Sequence, residues 1–354
     1  MRTSVWDTYP ATYRAETVQP ILRAVGAGES FVVVGLSGSG KSNLMGFLAH
    51  RVDQGPKFVL VDCNRLRGSQ PEDLLHLICQ ALGEPPVPGD QLFSLEDLIA
   101  GQLATQSRGL CLLLDRFDSL PKAAMPAIAS NLRALRDSFK YQLTYGIASR
   151  RPVPEDTELN ELFYGNTFWL GPLSKADARW STNQYAQRRS VKWNDALIDQ
   201  IIDISWGYPS MLRGVCEAAA ANAPLDTDTL RKHPAVLRRV KEFWRDEPSA
   251  DAVHLSGLAD HPLLTQAQPP AQPDVDKLTA NEYRLYTYFQ SHLDQVCSHD
   301  ELIQAVWQEE ERVEGVRDDR LAQLVRRLRA KIEADPSHPQ LIQTVPGRGY
   351  RFTP

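Results

Sequence analysis

The sequence predicts a three-layer α/β domain, then a helical subdomain, then a small C-terminal domain of three helices and a β-hairpin. Three observations carry that expectation. Residues 1–171 alternate short, uninterrupted apolar runs with stretches of helical spacing, as parallel strands covered by helices on both faces do. Over residues 172–260 the strand-like runs disappear and helical spacing continues. A proline-rich segment without aromatic residues, TQAQPPAQPDVDK, then precedes renewed apolar periodicity over residues 278–354. Such a segment buries no core, so residues 261–277 are expected to be a linker.

Composition bounds the function. The chain has 354 residues, 42% apolar and 23% charged, with 39 Lys+Arg against 44 Asp+Glu, a net charge of −5. A protein basic all over is excluded; a local basic face is not. No apolar run approaches the ~20 residues of a membrane span, so no membrane partner is expected. The N-terminus has no apolar stretch after its charge and does not read as a signal peptide. The five cysteines are scattered and never spaced CxxC. That argues against a disulfide framework or structural zinc and for a cytoplasmic protein.

In chain order, strands are expected at 31–34, 58–61, 110–114 and 145–148, with a weaker one at 167–170. Helices are expected at 42–52, 71–82, 95–106 and 126–139, with loops at 83–90 and 151–156 where Pro and Gly collect. The helical part divides into 174–188, 194–205, 210–222 and 228–246. Ser174 followed by Asp177 has the outline of a capping box, and Thr279 with Glu282 forms a complete one. After Thr279, apolar residues at Tyr283, Leu285 and Phe289 support a helix. Leu302, Ile303, Val306 and Trp307 support a second, and Leu321, Leu324, Val325, Leu328 and Ile332 a third. LIQTV and YRF around Pro346-Gly347-Arg348-Gly349 signal a hairpin. Helix, helix, helix, hairpin is the winged-helix arrangement.

Residues Gly35 to Ser42 read GLSGSGKS and match GxxxxGK followed by Ser or Thr. Glycines at Gly35, Gly38 and Gly40 permit positive φ and close backbone approach to phosphates. The N–H groups of Ser37, Ser39 and their neighbours would form an anion nest at a helix N-terminus. Lys41 would reach the β- and γ-phosphates, Ser42 would hold Mg²⁺, and Asn43 follows within the binding turn. The apolar run FVVV precedes the loop, and Leu44, Met45, Phe47 and Leu48 follow on a helical face. This is the strand–loop–helix context the motif requires. Asp115 ends the run LCLLLD and would order the same Mg²⁺. The next position, where many such ATPases place a glutamate base, is Arg116. Asp118 is the nearest spare acid and reads equally well as a substitute base or as a helix cap. ATP or ADP with Mg²⁺ is therefore the expected ligand, with slow hydrolysis.

The phosphate loop, the Ala148-Ser149-Arg150-Arg151 sequence after the fourth strand, and Gly207-Tyr208-Pro209 before a helix resemble the STAND branch of P-loop ATPases, relatives of the AAA+ class. The resemblance spans about residues 10–255. It implies an inserted strand after the phosphate loop and the strand order 5-1-4-3-2. It also implies that Arg150, with Arg151 as its rival, contacts the γ-phosphate, and that Pro209 lies against the nucleotide. Arg116, and Tyr208 where the family often has histidine, depart from its pattern. Tyr9, Tyr13 and Arg14 fall where related ATPases cover the adenine, although ordinary packing explains them equally well.

Residues 278–354 resemble the OmpR/PhoB-type DNA-binding domain over its whole length, through LTANEYRLY, DELIQAVW, LVRRLRAKIEADP and IQTVPGRGYRF. The resemblance implies that the third helix enters the major groove of double-stranded DNA and the wing an adjacent minor groove. Arg320, Gln323 and Arg327 share one face of that helix, opposite its apolar stripe, and suit base edges. Arg326 and Lys331 suit phosphates, and Arg348 at the wing tip suits a narrow minor groove. Asp318 and Asp319 at the helix start favour its dipole but oppose a nearby phosphate. Within residues 316–354, eight Lys and Arg stand against four Asp and Glu.

Together these features point to a nucleotide-switched transcriptional regulator, with a homo-oligomer as one ATP-state outcome. Two other readings stay open. One is a DNA-processing or origin-type ATPase with DNA-stimulated hydrolysis. The other is a switch whose winged helix binds protein rather than DNA.

Overall fold

The computed structural model describes residues 4–83, 91–105, 108–154, 157–163, 165–245, 247–264, 278–293, 295–307, 318–333, 336, 339 and 341–353. The chain forms two compact units, Met1–Gln266 and Ala267–Pro354.

In the first unit, β1 (Phe31–Val34), β2 (Lys57–Asp62), β3 (Leu110–Asp115), β4 (Leu143–Ser149) and β5 (Thr167–Trp169) form one parallel sheet. Its order, β2-β3-β4-β1-β5, is the 5-1-4-3-2 arrangement read from the other edge. β1, β3 and β4 are buried along their whole length, because helices cover both faces. This is why their sequences are apolar without alternation. The helices of this part are α1 (Ala15–Gly26), α2 (Lys41–Arg51), α3 (Pro71–Leu82), α4 (Gln91–Thr105), α5 (Met125–Ser138) and α6 (Glu158–Phe163). One core cluster joins β3 and β4 to α3 and α5. Tyr145 of β4 is fully buried, and its hydroxyl donates to the Leu132 carbonyl of α5 at 2.9 Å.

α1 was not anticipated. Pro20 lies inside it and reads in sequence as a helix breaker. α4 begins four residues before the expected 95.

The helical part contains α7 (Lys175–Arg189), α8 (Asp195–Ser205), α9 (Pro209–Ala220), α10 (Thr227–Lys232), α11 (Pro234–Arg245) and α12 (Ala250–Leu255). The single helix expected at 228–246 is two. His233, just before Pro234, is extended with ψ 128°, since the proline ring disfavours the α region for its predecessor. Of the expected linker 261–277, residues 261–264 pack into this unit, with Leu263 and Leu264 buried. Residues 265–277 lie outside the described residues.

The second unit contains α13 (Ala280–Ser291), α14 (His299–Val306) and α15 (Asp318–Ile332). Its sheet has three strands, with β6 (Val296–Cys297) and β7 (Ile342–Val345) flanking β8 (Gly349–Phe352). β6 has two residues, too short for any periodicity to mark it. The Thr279–Glu282 capping box forms as expected. Leu321, Leu324, Val325, Leu328 and Ile332 bury against Leu285 and Phe289 in one core. The helix–helix–helix–hairpin order is thus that of a winged helix.

Candidate functional site

The loop between β1 and α2 puts the C-terminal end of a buried strand directly before a helix N-terminus. Gly38 and Gly40 adopt φ +80° and +91°, backbone that a side chain would strain. A cavity of about 410 Å³ opens over this loop. Ser37, Gly38, Gly40, Lys41, Ser42 and Asn43 line it from the loop side. Asn64, Arg116, Asp118, Ser119 and Arg150 line it from the ends of the neighbouring strands. Pro209, Ser210 and Arg245 line it from the helical part. Gly35 and Ser39 lie behind the lining. Lys41 Nζ donates to the carbonyls of Gly35 (2.6 Å) and Leu36 (3.2 Å). It is thus held across the loop whose motif assigns it to phosphate.

The carbonyls of three consecutive loop residues accept hydrogen bonds, two from the helical part and one from Arg14, which precedes α1. The Tyr208 hydroxyl donates to Ser37 O at 2.7 Å, and the Ser210 N–H to Gly38 O at 3.1 Å. Arg14 Nη2 donates to Ser39 O at 2.7 Å. Arg14 is buried at 6% exposure, in the left-handed region with φ 48°. Its Nη1 also reaches Gly171 O at 3.1 Å, and its backbone N–H donates to Asp177 Oδ2 at 3.0 Å. Asp177 therefore does not close the capping box with Ser174 outlined by the sequence. Ser174 caps α7, while the Asp177 carboxylate holds Arg14. The Pro209 ring lies against Gly40.

Asp115 is buried at 7% exposure beneath the loop. Burial pushes its carboxyl above the usual range, opposed by a hydrogen bond from Ser42 and by the charge of Arg116. Its Oδ1 has no hydrogen-bond partner. A hydroxyl beside an unsatisfied buried carboxylate oxygen is a hard-oxygen donor set that fits Mg²⁺ completed by phosphate and water. No group of three or more His, Cys, Asp or Glu able to hold a metal occurs among the described residues.

Arg116 sits at φ 55°, at the start of the short 3-10 helix Phe117–Ser119. Asn64, its amide oxygen turned inward, accepts from Arg116 Nη1 (3.2 Å) and Nε (3.0 Å). Asp118 forms an ion pair with Arg150. Of the two rival arginines, Arg150 lines the cavity and Arg151 does not. Sequence reasoning missed Asn64, Ser119, Ser210 and Arg245 here. Asn64 and Ser119 follow strand ends, where the parallel-sheet rule could have found them. Arg245 carries no local signal.

A second cavity, of about 260 Å³, shares Asn43 and Pro209 with the first and is lined also by Tyr9, Trp180, Arg188 and Leu212. The rings of Tyr9 and Trp180 lie 4.3 Å apart. Burial pushes the Tyr9 hydroxyl up to about 12. Tyr13 is buried beneath, edge-on to Tyr9 at 4.9 Å.

In the second unit, Arg320, Gln323, Arg326 and Arg327 of α15 are exposed, as is Arg348 in the β7–β8 turn. The turn depends on Gly347 and Gly349, with φ +70° and +129°. A side chain at Gly349 would collide with the Cys297 carbonyl. Arg329 ties α15 to the wing, donating to Ile342 O (Nε 3.0 Å, Nη2 2.6 Å) and to Thr344 Oγ1 (3.0 Å). Lys331 pairs with the buried Glu282 at 2.6 Å, so its charge is already engaged by α13. Asp318 and Asp319 begin α15; their side chains lie outside the described residues.

Comparison with known proteins agrees with both units. Residues 26–147 match the family described as an AAA domain. Residues 275–352 match the family described as the C-terminal part of transcriptional regulatory proteins. A curated relative from Picosynechococcus, titled "Probable transcriptional regulatory protein", is 33% identical over 119 residues, covering 33% of this chain and 45% of its own. The chain thus spans under half the length of that relative. Among solved structures, the RuvB Holliday junction branch migration motor of Thermotoga maritima is similar at 15% identity and TM-score 0.37, covering 96% of this chain and 92% of its own. A Walker-type ATPase of Pyrococcus abyssi is similar at 12% identity and TM-score 0.44, covering 99% and 97%. The chain joins an AAA-type P-loop domain to a winged helix of OmpR/PhoB type. No helix among the described residues is long and apolar enough to cross a membrane.

Proposed function

We propose that the chain is a STAND-type nucleotide switch that regulates transcription by binding double-stranded DNA through its winged helix. One observation carries the reading. The cavity at the phosphate-loop motif is walled by the core on one side and by Pro209, Ser210 and Arg245 of the helical part on the other. A ligand there contacts both walls, so its terminal phosphate biases how the two pack.

In this reading the loop amides and Lys41 bind ATP or ADP, and Arg150 faces the terminal phosphate. Ser42 and Asp115 are the residues that would hold Mg²⁺, which supplies charge neutralisation of the phosphates. The purine lies in the adjoining cavity, which Tyr9, Trp180 and Pro209 line. Hydrolysis is slow, because Arg116 occupies the place of a base and Asp118 is neutralised by Arg150. Arg320, Gln323, Arg326, Arg327 and Arg348 face DNA. Lys331 holds α15 to α13 and contributes to DNA binding only indirectly. The protein acts in the cytoplasm, with self-association in the ATP state as part of the switch.

Two titrations test the reading. Lys41→Ala should abolish binding of ADP and of a non-hydrolysable ATP analogue. Arg348→Ala should weaken DNA binding and reduce the slope of log affinity against log salt by about one. Unaltered nucleotide affinity in the first variant would overturn the nucleotide site. An absence of salt dependence in the parent chain would favour a protein-binding winged helix. Hydrolysis strongly stimulated by DNA would favour a DNA-processing ATPase.

A further inference from the structure

Outside the nucleotide cavity, the helical part carries a cationic strip. α10 and α11 meet at Pro234, and two shallow hollows of about 380 and 470 Å³ share that residue. Lys232 lines the first, and Arg238, Lys241 and Arg245 line the second with Glu242. On α11, Pro234, Leu237, Arg238, Lys241 and Arg245 recur at i, i+3, i+4, i+7 and i+11 and share one exposed face. The opposite face, with Val236, Val240 and Phe243, is buried, so the cations stay turned to solvent.

The acids nearby are already engaged. Glu217 serves three arginines, Arg213, Arg238 and Arg239, at 3.3, 2.6 and 3.4 Å. Glu242 pairs with Arg239 at 3.0 Å, and Asp228 with Arg231 at 3.7 Å. Lys232 and Lys241 have no acidic partner among the described residues. From residue 228 to 245, six Lys and Arg stand against two Asp and Glu, in a chain whose net charge is −5.

We propose that this strip is a second, sequence-independent contact to double-stranded DNA, which rests on the DNA reading above and adds a surface to it. Duplex DNA carries one charge per about 1.7 Å of its axis, so the ~10 Å of helix from Arg238 to Arg245 faces several phosphates. Guanidinium and ammonium groups both suit those oxygens. Residues 265–277 tether the two units over at most ~45 Å, so a duplex on the winged helix is at high effective concentration for the strip. An anionic membrane fits less well. Leu237 is the one large apolar side chain exposed on α11, where an interfacial helix needs an apolar face. An acidic protein surface fits less well too, since protein interfaces centre on aromatic and apolar anchors and are poor in lysine.

The test is a titration of the full chain with a fluorescent random-sequence duplex of about 40 base pairs across a salt series. Lys232→Ala with Lys241→Ala should lower the slope of log affinity against log salt by about two and weaken binding about tenfold or more at low salt. Lys122→Ala with Lys140→Ala removes the same charge from exposed positions of the α/β core and should change the slope by less than about half a unit. Adding Arg348→Ala to the strip variant should lower the slope by about one more, as separate contacts do. ADP affinity should not change in the strip variant, because neither lysine lines the nucleotide cavity. Its unfolding midpoint should stay within about 2 °C of the parent. An unchanged slope, or an equal change in both double variants, would overturn the strip as a DNA contact. So would loss of binding to anionic phospholipid vesicles in the strip variant with duplex binding intact. If the parent binds no duplex at any salt, the DNA reading fails and the strip falls with it. If Arg348→Ala weakens binding and the strip variant does not, the strip alone fails.

Discussion

Lys331→Ala separates a structural lysine from a DNA contact. Glu282 is 1% exposed. Its carboxylate accepts from Lys331 Nζ at 2.6 Å and from the Thr279 N–H at 2.8 Å. Burial pushes its pKa up, but the Lys331 bond and those from Thr279 outweigh this and hold it below the usual glutamate value. Removing the ammonium leaves a buried carboxylate with only its cap. Lys331 is 35% exposed, so water fills part of the gap, and the cost should be about 1–3 kcal/mol rather than that of a fully buried pair. For a unit of this size each kcal/mol lowers the midpoint by about 4–8 °C. The sign with pH follows from the lowered pKa. The stabilisation is full above the unfolded glutamate value of about 4.3 and is lost as pH falls through the depressed folded value. Scanning calorimetry of the full chain should therefore show the C-terminal transition lowered at neutral pH, with the gap to the parent closing in acid. An unchanged transition, together with a salt slope of DNA binding reduced by about one, would refute the reasoning and make Lys331 a phosphate contact.

Gly38→Ala should strain a residue at φ +80° and push its methyl into Ser210. It should cost about 1–2 kcal/mol from backbone alone and weaken nucleotide binding, both readable by thermal shift with and without ADP. Asp115→Asn should remove a pH dependence of stability. With its pKa raised in the folded state, Asp115 makes stability fall as pH rises from the unfolded carboxylate value through the folded one. The variant should lack that slope in denaturant titrations, and an identical slope would count against burial of the charge. Arg116→Glu should raise hydrolysis by about a hundredfold or more if a base at this position is what the site lacks. Phosphate release no faster than in the parent would show that Arg116 is not the limiting feature.

Much of this was legible because local rules sufficed. FVVV, LCLLLD and the GLSGSGKS loop each state their own conformation, so β1, β3 and the loop needed no partner to be identified. Thr279 with Glu282 likewise caps its own helix. What was not legible depends on residues distant in sequence. Lys331 falls on the basic side of α15 by spacing, yet Glu282 claims it from 49 residues away. Asp118 looks like a spare acid until Arg150 reaches it across 32 residues. Arg245 becomes a site residue only when α11 packs against α9, which begins at the cavity wall. The break before Pro234 is the exception. There the signal is local: Pro234 disfavours the α region for His233, which is extended. Pro20, by contrast, lies inside α1 without ending it.

The central claim is that nucleotide state and DNA binding are coupled, and one measurement addresses it directly. DNA affinity of the full chain should be determined at fixed salt with saturating ADP, with saturating ATP analogue, and for Lys41→Ala with each. Coupling of about 1–3 kcal/mol, or roughly 5–150-fold between the two nucleotides, is typical of such switches. The account predicts a ratio in that range for the parent and a ratio of one for Lys41→Ala, with the same factor recovered when DNA is present and nucleotide is titrated. Equal DNA affinity in both nucleotide states of the parent chain, with nucleotide demonstrably bound, would contradict it.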